Sequence, residues 1–223
     1  MSRLPAFVLA PILVLQARGL RRSVPRLTAA EPRTGGSRAS GAVRLLVLGD
    51  STAVGTGVDQ TADAVAGQVA KLIPDPVSWR VVGASGLTSR QVLEQHLDEA
   101  GARPADVVVL LVGWNDALQL RAAATFGRDT GALLDGLRTQ HPDARIVLVA
   151  PPRFRDFAVL PQPLRAALGA HVSGLTRTAA RIAGARGVAL VPGFDGVHVA
   201  GDRFHPDATG YAELAARIVS ALA

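Results

Sequence analysis

In Leu45-Leu46-Val47-Leu48-Gly49-Asp50-Ser51 an uninterrupted apolar run ends at a glycine and delivers a serine to the start of the next element. A hydroxyl on a sharp turn at the carboxyl end of a buried strand sits where open α/β sheets place their ligands. The amides of the following segment can there face a developing negative charge. Serine at such a junction is also ordinary helix-start chemistry, so this stretch needs company before it means catalysis.

The company comes from three further segments. Gly86 lies in Ser85-Gly86-Leu87-Thr88-Ser89, just past the apolar run 79–82, and Asn115 lies in Gly113-Trp114-Asn115-Asp116, just past 107–112. Asp202-Arg203-Phe204-His205-Pro206 opens the last helical pattern. Outward from these segments, apolar and amphipathic runs take turns. Strands are expected at 44–48, 78–82, 106–112, 145–150 and 188–191, and helices at 61–73, 89–100, 129–140, 164–184 and 208–222. Short, continuous Val/Leu/Ile runs suit strands covered on both faces. Strand-helix alternation therefore predicts a parallel five-stranded sheet in a three-layer α/β/α sandwich. Along one edge of such a sheet all the strand carboxyl ends meet, which brings Ser51, Gly86, Asn115 and the Asp202–His205 pair to one crevice.

These four blocks, in this order over about residues 43–222, resemble the SGNH, or GDSL, hydrolase family. The resemblance implies a flavodoxin-like strand order, 2-1-3-4-5, and a role for each block. Ser51 is similar to the nucleophile and Asp202 with His205 to the Asp-x-x-His pair. Ser51, Gly86 and Asn115 resemble the oxyanion-hole donors. The implied activity is metal-independent and cofactor-free: a serine esterase or lipase acting on carboxylic acyl esters, which the basic-apolar tail tilts towards lipid-like ones. Acyl transfer and carbohydrate deacetylation are alternatives at the same site. A non-catalytic acyl- or glycan-binding module is the reading from another class.

Serine needs a base within hydrogen-bond reach. His96 and His141 fall on helical patterns and read as surface residues, and His171 has no evident acidic partner. His198 is the rival, because Asp195-Gly196-Val197-His198 repeats the Asp-x-x-His spacing. His205 is favoured because Pro206 and a strongly amphipathic helix follow it. Asp50 and Asp116 read as braces for the loops. No Gly-x-Ser-x-Gly elbow surrounds Ser51, and the glycines from Gly49 to Gly57 lack the Gly-Lys-Ser/Thr ending of a phosphate-binding loop. The segment Pro151 to Pro163, with Phe154, Phe157, Val159 and Leu160, reads either as an acyl-pocket lining or as a packed loop.

The chain of 223 residues fits one domain, placed at 43–223, and contains no cysteine, so neither a disulfide framework nor a thiolate site is available. Residues 1–40 hold seven arginines against one acid, Glu31, an excess that equals the whole formal charge of +6. A neutral body with 4% aromatic residues lacks the footprint of a nucleic-acid binder. Residues 1–22 combine an apolar run, Leu4 to Leu15, with arginines at 18, 21 and 22. Twelve residues are too few for a spanning helix, which needs about 20. An interfacial membrane anchor is favoured over a signal-like segment and over simple packing on the domain, which makes the localisation membrane-associated ahead of exported or cytoplasmic. Residues 23–42, rich in Pro, Gly, Ser and Arg, read as a linker.

Overall fold

A computed structural model describes residues 11–16, 18, 19, 25 and 27–223. The five expected strands are present as β2 (Val43–Gly49), β3 (Val77–Gly83), β4 (Val107–Leu111), β5 (Arg145–Val149) and β6 (Ala189–Val191). All four neighbouring pairs among them are parallel, in the order β3-β2-β4-β5-β6. Taken in chain order these strands are 2-1-3-4-5. The strand order reverses between β2 and β4, and Ser51 and Asn115 follow those two strands.

Alternation along the strands sorts the core into two layers. Leu46, Leu48, Val108, Leu110, Ile146 and Leu148 face one way. They meet α2 (Ser89–Gly101), α4 (Ala123–Gln140) and α5 (Leu164–Gly184) through residues such as Val92, Leu133 and Leu175. Leu45, Val47, Val107, Val109, Val147 and Val149 face the other way. They meet α1 (Val65–Leu72) and α6 (Ala208–Ser220) through Val69, Tyr211, Leu214 and Ile218. Each fully buried Val or Leu side chain stabilises the fold by about 1.5–3 kcal/mol, so the sheet is a stiff platform for whatever its edge carries.

Two elements lie outside the expectation. The sheet has six strands rather than five, because β1 (Thr34–Gly36) pairs antiparallel with β3 at the edge. Residues 30–37, expected within a linker, belong to the domain. Ala30 is fully buried, its N–H donates to the Val54 carbonyl at 3.0 Å, and the Val81 N–H donates to the Arg33 carbonyl at 2.8 Å. Gly35 and Gly36 lie so close to Trp79 and the β3 backbone that a Cβ at either would collide with them. This pair, expected within the linker, is thus a fitted contact. The second difference is a short helix after β4, α3 (Trp114–Leu118).

Of the N-terminal segment 1–22, residues 1–10, 17 and 20–22 lie outside the described residues. Residues 11–16, 18 and 19 are helical, and Leu13 packs against the larger core layer. Among the described residues no helix is long and apolar enough to cross a membrane.

Candidate active site

Glycine at 49 is required by the fold of the turn that carries Ser51. Its φ of +153° lies at the edge of the range that side-chain-bearing residues rarely adopt, and a Cβ there would run into the Leu111 carbonyl of the neighbouring strand. Beyond it, residues 51–57 wind through consecutive turns, and the regular helix begins only at Val65. Two cross-links fasten this turn. The buried Tyr211 hydroxyl on α6 donates to the Thr56 carbonyl at 2.8 Å, and the Thr56 and Ser85 hydroxyls hydrogen-bond at 3.0 Å. The second ties the serine turn to the Gly86 loop.

The groups singled out from sequence converge. The Ser51 hydroxyl lies 2.9 Å from His205 Nε2, and His205 Nδ1 lies 2.5 Å from Asp202 Oδ2. Ionised Asp202 is an acceptor only, so it fixes the ring proton on Nδ1 and leaves Nε2 to accept from Ser51. Burial pushes the Asp202 carboxyl upward. Hydrogen bonds from the His205 ring and from the Phe204 and His205 amides, at 2.9 and 3.0 Å, outweigh that push and hold it below the usual carboxylate range. The imidazole stacks on Trp114 with ring centroids 5.7 Å apart and planes 16° from parallel. Trp114 in turn meets Phe154, Phe157 and Phe204 edge-on.

The rival pair does not form. Asp195 binds Arg217 at 3.0 Å, and the half-exposed His198 lies 3.4 Å from Glu213 on α6. His96 sits beside Glu99 at the surface end of α2. His141, expected at the surface, is buried because its ring meets the Ala100 carbonyl at 3.1 Å where α4 ends.

Gly86 and Asn115 reach the same cavity as Ser51 and His205. Gly86 has φ +86° and open space where a Cβ would project, so its backbone faces the cavity bare. Among the described residues the N–H groups of Ser51 and Gly86 have no acceptor. Asn115 Nδ2 donates one hydrogen to the Leu87 carbonyl at 3.0 Å, leaving the other for a ligand.

Sequence reasoning missed what holds these donors. Asp116, fully buried, accepts from the Ser89 amide at 2.8 Å and hydroxyl at 2.7 Å, joining the start of α2 to α3. Arg121 bridges Asp116 at 2.8 Å and the equally buried Asp129 at 2.7 Å. The expectation that Asp116 braces a loop is fulfilled, but Arg121 and Asp129 carried no local signal. Asp50 is buried with Oδ1 accepting from the Thr52 amide at 3.1 Å, and burial pushes its carboxyl up to about 7.

The cavity has a volume of about 740 Å³, ample for a small-molecule ligand. Its apolar walls come from Leu118, Leu120, Leu164 and Leu168 together with Leu13 and Val14. Phe154, Phe157 and Leu160 are fully buried behind Trp114 instead, so the stretch from Pro151 to Pro163 is the packed loop of the two readings. Among the described residues no three metal-ligating side chains gather.

Residues 47–213 match the GDSL-like Lipase/Acylhydrolase family. The chain belongs to that family. A GDSL-like esterase of Mycobacterium tuberculosis is 28% identical over 90% of this chain and 72% of its own length. Among solved structures, an extracellular lipase from Streptomyces rimosus aligns over 81% of this chain and all of its own, with 19% identity and a TM-score of 0.63. Axe2, an acetylxylan esterase from Geobacillus stearothermophilus, aligns over 82% of this chain and 95% of its own at 19% identity and a TM-score of 0.62. These likenesses extend the family's α/β fold to this chain, and membership places it among hydrolases of acyl esters.

Proposed function

We propose that this GDSL-family protein is a serine esterase that hydrolyses carboxylic esters with apolar acyl chains through an acyl-enzyme. The single observation that carries the reading is the unbroken hydrogen-bonded line from Ser51 Oγ through the His205 ring to Asp202, opening into an apolar cavity.

In this reading His205 Nε2 takes the hydroxyl proton as Ser51 Oγ attacks the ester carbonyl, and Asp202 stabilises the imidazolium without accepting its proton. The carbonyl oxygen becomes an oxyanion, met by the N–H groups of Ser51 and Gly86 and by Asn115 Nδ2. When the C–O bond to the alcohol breaks, His205 donates the proton to the departing oxygen. Water then attacks the acyl-Ser51 ester, again losing a proton to His205, and the collapse releases the carboxylic acid and restores the serine. The stack on Trp114 keeps the imidazole plane fixed during both transfers.

The leucine-rich walls favour a fatty acyl group over the acetyl groups of a carbohydrate. The test is hydrolysis of p-nitrophenyl esters from acetate to palmitate by the wild type beside folded Ser51→Ala and His205→Ala variants. Activity abolished in both supports the reading. Undiminished turnover in either, or none in the wild type, refutes it.

A further inference from the structure

Part of the apolar lining is made by residues that no catalytic motif contains. Leu13 and Val14, from the helical stretch 11–16, line the same cavity as Ser51 and His205, together with Leu164 and Leu168. This stretch is attached to the cavity by a specific contact. Gln16 Nε2 donates to the Gln162 carbonyl at 2.7 Å, and Gln16 Oε1 accepts from the Leu164 N–H at 3.2 Å. The first N–H groups of a helix have no acceptor inside it and need one from outside. Pro163 stands at the N-cap of α5 and has no side-chain acceptor to offer. Gln16, 148 positions away in the chain, caps α5 in its place. A side chain that both caps a core helix and clamps the preceding carbonyl fixes residues 13 and 14 against the cavity.

Resting on the serine-esterase reading, we infer that the helical stretch 11–16 is a built wall of the acyl site and that Leu13 and Val14 determine which acyl chains it takes. The substrates are esters of medium- to long-chain fatty acids. Their carbonyl carbon sits at Ser51, and the chain runs along the apolar lining that Leu13 and Val14 share with Leu164 and Leu168. Acetyl esters are too short to reach this wall and take no benefit from it.

The experiment is the chain-length profile of kcat/KM for p-nitrophenyl esters, acetate to palmitate, in the wild type, Leu13→Asp, Leu13→Trp and Gln16→Ala. Each methylene that gains apolar cover contributes about 0.8 kcal/mol, or roughly fourfold in kcat/KM. The wild type is therefore expected to rise with chain length until the cavity is full. Leu13→Asp flattens the rise, and Leu13→Trp ends it at a shorter chain. Profiles superimposable on the wild type overturn the inference. So does a loss equal at every chain length, acetate included, because that assigns residue 13 to folding.

A second readout needs no turnover. Equilibrium binding of octanoate, laurate and palmitate is measured with the Ser51→Ala protein, with and without Leu13→Asp. Palmitate affinity falling tenfold or more supports the wall, and equal affinity overturns it. A protein whose Leu13 variants lose palmitate binding while the wild type hydrolyses no ester keeps the wall and refutes the esterase reading.

Discussion

The two halves of the cavity are built by different means. In the reacting half, Ser51, Gly86 and Asn115 each follow the carboxyl end of a parallel strand, β2, β3 and β4, whose registers are locked by neighbouring strands. Asp202 and His205 precede α6 within one tight loop that binds its own backbone amides. In the apolar half, Leu13, Val14, Leu118, Leu120, Leu164 and Leu168 come from helices or their ends. Leu13 and Val14 are attached through the side chain of Gln16 and the packing of Leu13 on the core. Strand-end geometry tolerates little change, because it is shared by the whole sheet. A wall of helix side chains can be rebuilt without moving Ser51. Chemistry and chain-length preference are therefore expected to separate under mutation.

The largest effects belong to the reacting half. Ser51→Ala or His205→Ala should lower kcat by roughly 10⁴-fold or more with every ester, measured by initial rates. A loss that differs strongly between acetate and palmitate breaks the separation of the halves. Asp202→Asn, which removes the acceptor that fixes the ring proton, should cost roughly 10³–10⁴-fold in kcat. Asn115→Ala deletes one oxyanion donor and should cost about 10²–10³-fold in kcat, about 3–4 kcal/mol, with KM little changed. Steady-state kinetics separates that pattern from a rise in KM, which would move Asn115 into ground-state binding.

The next effect sharpens the comparison through stability. Arg121→Ala leaves the buried carboxylates of Asp116 and Asp129 without their shared cation, a change expected to destabilise by about 3–5 kcal/mol in urea unfolding. Because Asp116 holds Ser89 at the start of α2, kcat should fall for all chain lengths alike. The smallest effect concerns Asp50. Burial raises its carboxyl to about 7 in the folded protein, above its unfolded value, so the fold favours the protonated form. That contribution is complete at low pH and lost as pH rises through about 7. Asp50→Asn cannot lose it, so the melting temperature of the variant minus that of the wild type should climb between pH 4 and pH 8.

What could be read from the chain follows the same division. Five strands were legible because their Val/Leu runs are continuous and end at turn residues. The convergence of Ser51, His205 and Asp202 was legible because Ser51 follows a strand and because Pro206 and an amphipathic helix follow His205, context that His198 lacks at the same Asp-x-x-His spacing. β1 was hidden because Gly35 and Gly36 have no side-chain period, and their partners Trp79 and Ser78 lie more than forty residues away. Helix α4 was expected to begin at 129 and begins at Ala123, where Ala122 offers no side-chain cap. Gln16, Tyr211 and the Thr56–Ser85 link act across the fold between segments far apart in sequence, and nothing local marks them. The same is true of the cavity wall, whose apolar residues look in sequence like any core-facing helix.

The most direct test of the central claim is mass spectrometry of the intact and digested protein after treatment with an alkyl fluorophosphonate, comparing the wild type with folded His205→Ala and Asp202→Asn variants. The expected result is a single adduct on Ser51 in the wild type, formed far more slowly in both variants. An adduct on another residue, or labelling of Ser51 at the wild-type rate without His205, would contradict a nucleophile activated through the Ser51–His205–Asp202 line.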